Sequence, residues 1–127
     1  YAKLKYGKKG KFYCKKFTSK EIKKLPKFDY VLYFGVMHHL NNLELIKLIK
    51  TTKKVIKKSG KLITIDPLII ENQNIFARFA IKRDRGNNVR TENEYKKIIK
   101  TSFVKIKSKI IHQKFLPYTW FITISEK

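Results

Sequence analysis

Apolar residues recur along the chain with two different periods, and these divide it into strands and helices. Phe28-Asp-Tyr-Val-Leu-Tyr-Phe-Gly35 is a nearly unbroken β-branched and aromatic run. Such a run predicts a strand buried on both faces of a parallel sheet rather than a one-sided strand. Leu45, Leu48, Ile49, Thr52, Val55 and Ile56 then return at three- and four-residue spacing, with Lys47, Lys50, Lys54 and Lys57 on the other side, as on a helix with one apolar stripe. Asn41 and Glu44 have the spacing of a reciprocal N-terminal capping box, and Ser59-Gly60 is read as the left-handed stop. Lys61-Leu-Ile-Thr-Ile-Asp66 is a second buried strand. Strand, helix and strand from Phe28 to Asp66 make a βαβ unit, which demands parallel strands and a right-handed crossover.

The flanking segments follow the same logic. Tyr1 to Lys9 reads as the last turns of a basic helix, Phe12-Tyr-Cys14 as a short strand, and Lys20 to Leu25 as a brief helical turn closed by Pro26. Asn74 to Arg83 is expected to be helical with Ile75, Phe76, Phe79 and Ala80 inward, and Asp84-Arg-Gly-Asn-Asn88 is a loop by composition. Thr91 and Glu94 form a second capping box, opening a helix that buries Tyr95, Ile98 and Ile99. Phe103 to Gln113 and Thr119 to Ser125 alternate on either side of Pro117, an antiparallel pair. The fold class expected is a doubly wound, Rossmann-like α/β sheet ending in that pair, in one domain over residues 1–127.

Composition narrows the function classes. With 43% hydrophobic and 13% aromatic residues, the chain is no disordered basic tail. The net charge of +22 comes from 27 Lys but only 4 Arg, beside 17 Ile against 10 Leu. A joint drift to Lys, Ile and Asn is what AT-rich codon supply produces, whereas a selected nucleic-acid surface favours the forked guanidinium. Whatever its origin, the charge predicts salt-dependent, non-specific adhesion to polyanions. Cys14 is the single cysteine, so no internal disulfide and no multi-cysteine zinc site is expected. No apolar run approaches the ~20 residues of a membrane span, and no signal peptide opens the chain, so a cytoplasmic location is expected.

In open parallel sheets, ligands bind just beyond the carboxyl ends of the strands. Those ends are Lys15-Lys16-Phe17, Phe34-Gly-Val-Met-His-His39 and Asp66-Pro67. Gly35 either turns the chain out of the strand or lets a ligand approach the backbone, and His38 and His39 place titratable groups on the same rim. Adjacent histidines on a regular strand cannot both point at one ion, so no metal site is expected. His112 in its alternating strand reads as structural, and Cys14 as a buried inert thiol.

Phe28-Asp-Tyr-Val-Leu-Tyr-Phe-Gly-Val-Met-His-His-Leu40 resembles the fourth-strand motif of class I S-adenosylmethionine-dependent methyltransferases. The resemblance continues through the long helix, Lys58 to Leu62 and the strand ending in Asp66-Pro67. Arg78-Phe, Asp84-Arg-Gly86, Val89-Arg-Thr91 and Pro117-Tyr-Thr119 are similar to the insertion and closing strand of a bacterial stand-alone subgroup. It implies a C-terminal portion of the family sheet, with the first two family strands outside these residues. It also implies S-adenosylmethionine as cofactor and methyl transfer to a small molecule. Carried over, Lys16, Phe17, Tyr33, Phe34 and Gly35 would line the cofactor, and His38 or His39 would serve as general base or shape the site. Arg85 and Arg90 would clamp an acidic substrate group or else be solvated; Asp66 would end a strand or touch substrate; Tyr118 would place its hydroxyl at the rim.

Two departures are plain. There is no Gly-x-Gly segment to cradle the cofactor and no ribose-binding acid ahead of the motif, and Lys16 stands where the family has an adenine-accepting aspartate. A lysine cannot accept a hydrogen bond. Trp120 likewise stands where the subgroup often has a histidine. The expectation is that an upstream segment or a partner chain completes the sheet. A non-catalytic methyltransferase-like subunit and a basic polyanion-binding module are the alternatives.

Overall fold

The computed structural model describes residues 1–14, 19–22, 24–83, 86–113 and 118–127. Two short helices, α1 (Ala2–Tyr6) and α2 (Ser19–Ile22), precede strand β1 (Phe28–Phe34). A 3-10 turn (Met37–His39) leads into α3 (Asn42–Val55), β2 (Ile56–Pro67), α4 (Ile75–Lys82), α5 (Glu92–Lys100), β3 (Lys105–His112) and β4 (Thr119–Glu126). The four strands form one sheet in the order β1-β2-β4-β3. β1 and β2 are parallel; β2 with β4 and β4 with β3 are antiparallel. The βαβ unit and the terminal antiparallel pair are both as expected, and the last strand inserts between the second and third.

Both capping boxes form. Asn41 accepts from the Glu44 amide at 3.0 Å and Glu44 accepts from the Asn41 amide at 3.1 Å, while Thr91 and Glu94 repeat the exchange at the start of α5. Satisfying these otherwise orphan amides fixes where each helix begins. One side of α3 places Leu45, Ile49 and Thr52 against the sheet, and α5 adds Tyr95, Ile98 and Ile99 to a core that includes Met37, Ile56, Leu62, Phe103 and Phe121.

Three local expectations are corrected. Helix α3 stops at Val55, and Ser59-Gly60 belongs to β2, where the register with β1 shifts between Phe28 and Tyr30. Gly60 is needed there because an added Cβ would lie 2.8 Å from the carbonyl oxygens of Phe28 and Asp29. The glycine signal was real, but close backbone approach demands it rather than a helix stop. Phe12-Tyr-Cys14 forms no strand, and Cys14 is exposed. In α4, Ala77 and Ile81 are buried while Ile75, Phe76 and Phe79 are exposed.

The sheet faces are unequal. Helices α3 and α5 cover one side. On the other, Tyr30, Leu32 and Phe34 of β1 are 60%, 52% and 62% exposed, beside half-buried Ile63, Ile65, Ile122 and Ile124. The polarity is inverted across β4: Thr119, Thr123 and Ser125 point to the covered side while Trp120, Ile122 and Ile124 point out. The two-sided burial expected of β1 is therefore half realised among the described residues. Large exposed apolar surfaces mark interaction sites. Leu32→Lys should lower self-association of the chain in light scattering while shifting its stability by no more than about 1 kcal/mol, as for exposed positions generally.

Candidate active site

The tips of β1 and β2 are organised by backbone conformation first. Gly35 has φ +59°, a left-handed value that favours glycine, and its amide donates to the Ile65 carbonyl at 2.8 Å. This sharp exit turns the chain into the 3-10 segment, whose Met37 is fully buried and anchors the turn in the core. His38 is carried beneath it, 4% exposed, and His39 outward to solvent. The two imidazole rings lie 4.1 Å apart, centre to centre.

His38 is held on several sides. Its Nδ1 lies 2.8 Å from Oδ1 of Asp66, and its backbone amide donates to the same oxygen at 3.1 Å. Asp66 is fully buried near the end of β2. Burial pushes the Asp66 carboxyl up, and the bonds from His38 pull it partly back. In the neutral tautomer whose Nδ1–H donates to an ionised Asp66, Nε2 is the acceptor nitrogen. Two glycines bracket the ring: a Cβ on Gly35 would sit 3.4 Å from Cε1, and one on Gly86 would sit 1.9 Å from Cδ2. Asp66, expected to end the strand or touch substrate, thus faces the histidine.

Arg90 is buried and fully engaged. Its Nε–H and one Nη2–H donate to Oδ1 of Asn42 at 3.0 and 2.9 Å, and the other Nη2–H to the Leu40 carbonyl at 2.7 Å. The Nη1 hydrogens go to the carbonyls of Met37 at 3.0 Å and Asn88 at 2.8 Å. All five guanidinium hydrogens are used, so the expected clamp on an acidic substrate group is corrected. Arg90 ties the 86–91 loop to the 3-10 turn and to the start of α3, and the Asn88 backbone N–H donates to the His38 carbonyl at 3.0 Å.

Tyr33 and Phe34, expected together on the cofactor floor, lie on opposite faces. Tyr33 points under α3, where its hydroxyl bonds Thr52 Oγ1 and burial pushes its pKa up to about 12. Phe34 and Gly35 line an open groove of about 690 Å³ with Ile65, Ile122, Trp120 and His112. Trp120 donates from Nε1 to Gln113 at 3.1 Å and lies 4.9 Å from the ring of Tyr118. His112 and Trp120 were not read as site residues. Strand alternation was the available signal, since Trp120 shares the parity of Ile122 and Ile124. Lys16, Phe17 and Arg85 lie outside the described residues, as does Pro117. Among the described residues no three potential metal ligands cluster, and no helix is long and apolar enough to cross a membrane.

No protein-family model and no curated protein matches the chain. Solved structures do. Human N-acetylserotonin methyltransferase in complex with S-adenosylmethionine aligns with TM-score 0.64 at 16% identity, over 81% of this chain and 30% of that one. The mitomycin 7-O-methyltransferase MmcR aligns with TM-score 0.63 at 18% identity, over 84% of this chain and 32% of that one. LepI in complex with S-adenosylmethionine aligns with TM-score 0.60 at 7% identity, over 81% and 27%. The chain spans about a third of the length of these structures. Its fold is that of the C-terminal part of the class I S-adenosylmethionine-dependent methyltransferase domain.

Proposed function

We propose that this chain forms the C-terminal part of a methyltransferase that passes a methyl group from S-adenosylmethionine to a small-molecule oxygen or nitrogen. The single observation that carries this reading is the buried His38–Asp66 pair at the exit of β1, set between two glycines in a fold shared with such enzymes. The described residues fit the cofactor in part. The bare backbone of Gly35 and the ring of Phe34 offer a floor beside the groove. The Gly-rich cradle and the ribose acid would come from outside these 127 residues, from an upstream segment or a partner chain. The apolar side of β4 and the unpaired edge of β1 are the surfaces such a segment would cover.

When bound, the cofactor supplies an electrophilic methyl on a sulfonium. His38 would accept the proton that the acceptor's O–H or N–H gives up on taking the methyl group. Asp66 fixes the ring so that Nε2 is the basic nitrogen, the role a carboxylate plays behind a catalytic imidazole elsewhere.

Calorimetric titration with S-adenosylhomocysteine tests the reading. The isolated chain should bind more weakly than micromolar, and the chain rejoined to its completing segment should bind at micromolar Kd. Micromolar binding by the isolated chain would refute the claim of a shared site. The rival, a subunit that acts by association, draws support from Lys16 and the apolar open face. It requires that the completed assembly bind no cofactor.

A further inference from the structure

Two buried polar atoms near the histidine have no hydrogen-bond partner among the described residues: Oδ2 of Asp66 and the hydroxyl of Tyr95. They belong to one neighbourhood. Asp66 pairs in register with Phe121 of β4, and both are fully buried under the helix layer. The Tyr95 ring stacks on Phe121 at 5.9 Å between centres, and the Arg90 guanidinium lies 5.7 Å from the centre of the Tyr95 ring. Asp66 also raises the Tyr95 hydroxyl's pKa by its charge, after the larger effect of burial. Leaving an acceptor and a donor buried and unsatisfied is costly, and native structures seldom leave such pairs unmatched.

We propose that Tyr95 is a positioning residue for His38: its hydroxyl donates to Oδ2 of Asp66 through one bridging water, and so holds Oδ1 on His38 Nδ1. The carboxylate then has a donor on each oxygen, His38 on one and the Tyr95-held water on the other, and cannot rotate without losing both. Arg90 of the same loop and His39 beside His38 are the other charged or titratable groups facing this cluster. The functional meaning rests on His38 as proton acceptor, but the contact can be measured without any activity.

Carbon NMR of the Asp66 carboxyl and nitrogen NMR of the His38 ring decide it, with the full chain compared to Tyr95→Phe. A hydrogen bond to a carboxylate lowers its pKa. Losing it should raise the Asp66 midpoint by about one unit and turn a single His38 tautomer into a mixture, while the amide spectrum stays that of the folded chain. Should the phenylalanine variant not fold, a fluorinated tyrosine at position 95, a stronger donor, should lower the Asp66 midpoint instead. An unchanged midpoint in either folded protein overturns the proposal. If the midpoint shifts but the completed enzyme loses no methyl transfer on His38→Ala, the contact stands and the assignment of His38 as base fails.

Discussion

Gly86→Ala is expected to eject the His38 ring from its seat. The new methyl would lie 1.9 Å from Cδ2 and 2.8 Å from Nε2, and neither is the yielding end of a flexible chain. Either the loop lifts, straining the bonds of Asn88 and Arg90, or the imidazole swings out and leaves buried Asp66 without its partner. Overpacking costs about 1–3 kcal/mol, and a stranded buried carboxylate adds to that, so a loss of about 3 kcal/mol in denaturant unfolding is expected. On the proposed reading of His38 as a base, methyl transfer by the completed protein should fall about 10²- to 10⁴-fold, the usual contribution of a general base. A double-mutant cycle isolates the cause: with His38→Ala already present, the same alanine at 86 should cost under about 1 kcal/mol. An equal cost in both backgrounds would place the strain elsewhere.

Arg90→Ala should be the most damaging change away from the histidine. It removes five hydrogen bonds at once: the Met37 carbonyl keeps the Leu40 amide, while the carbonyls of Leu40 and Asn88 and Oδ1 of Asn42 lose their Arg90 donors. With each partly buried acceptor so orphaned costing about 1 kcal/mol, a net loss of about 3 kcal/mol is expected. That corresponds to a fall on the order of 10 °C in Tm for a chain of this size. Arg90→Lys should recover little, because one ammonium cannot span acceptors on three segments. If Arg90→Ala instead left Tm intact, the planar fork would not be what secures this loop.

Some of this was legible in the sequence for physical reasons, and some could not be. Asn41–Glu44 and Thr91–Glu94 are local devices, complete within four residues, so their spacing suffices to place the starts of α3 and α5. The βαβ unit is nearly local too. The pairing of His38 with Asp66 spans 28 residues and depends on the register of β1 against β2, which no spacing rule supplies. Arg90 looks in sequence like a solvated loop cation; only its placement amid backbone carbonyls shows that it serves the fold. The separation of Tyr33 from Phe34 was available from strand alternation alone, yet a continuous apolar run hides which face is which. Phe12-Tyr-Cys14 shows the converse: β-prone residues form no strand without a neighbour to bond.

The strand order has a consequence for how the protein is made. β4 follows β3 in the sequence, yet it sits between β2 and β3, and among the described residues β3 joins the sheet through it alone. A ribosome-bound intermediate therefore carries β3 as an orphan hairpin arm, and Phe121, central beneath Tyr95, arrives after everything it must support. Closure is a late, long-range event, slow by its topology and exposed to chaperones and proteases until residues 119–126 clear the exit tunnel.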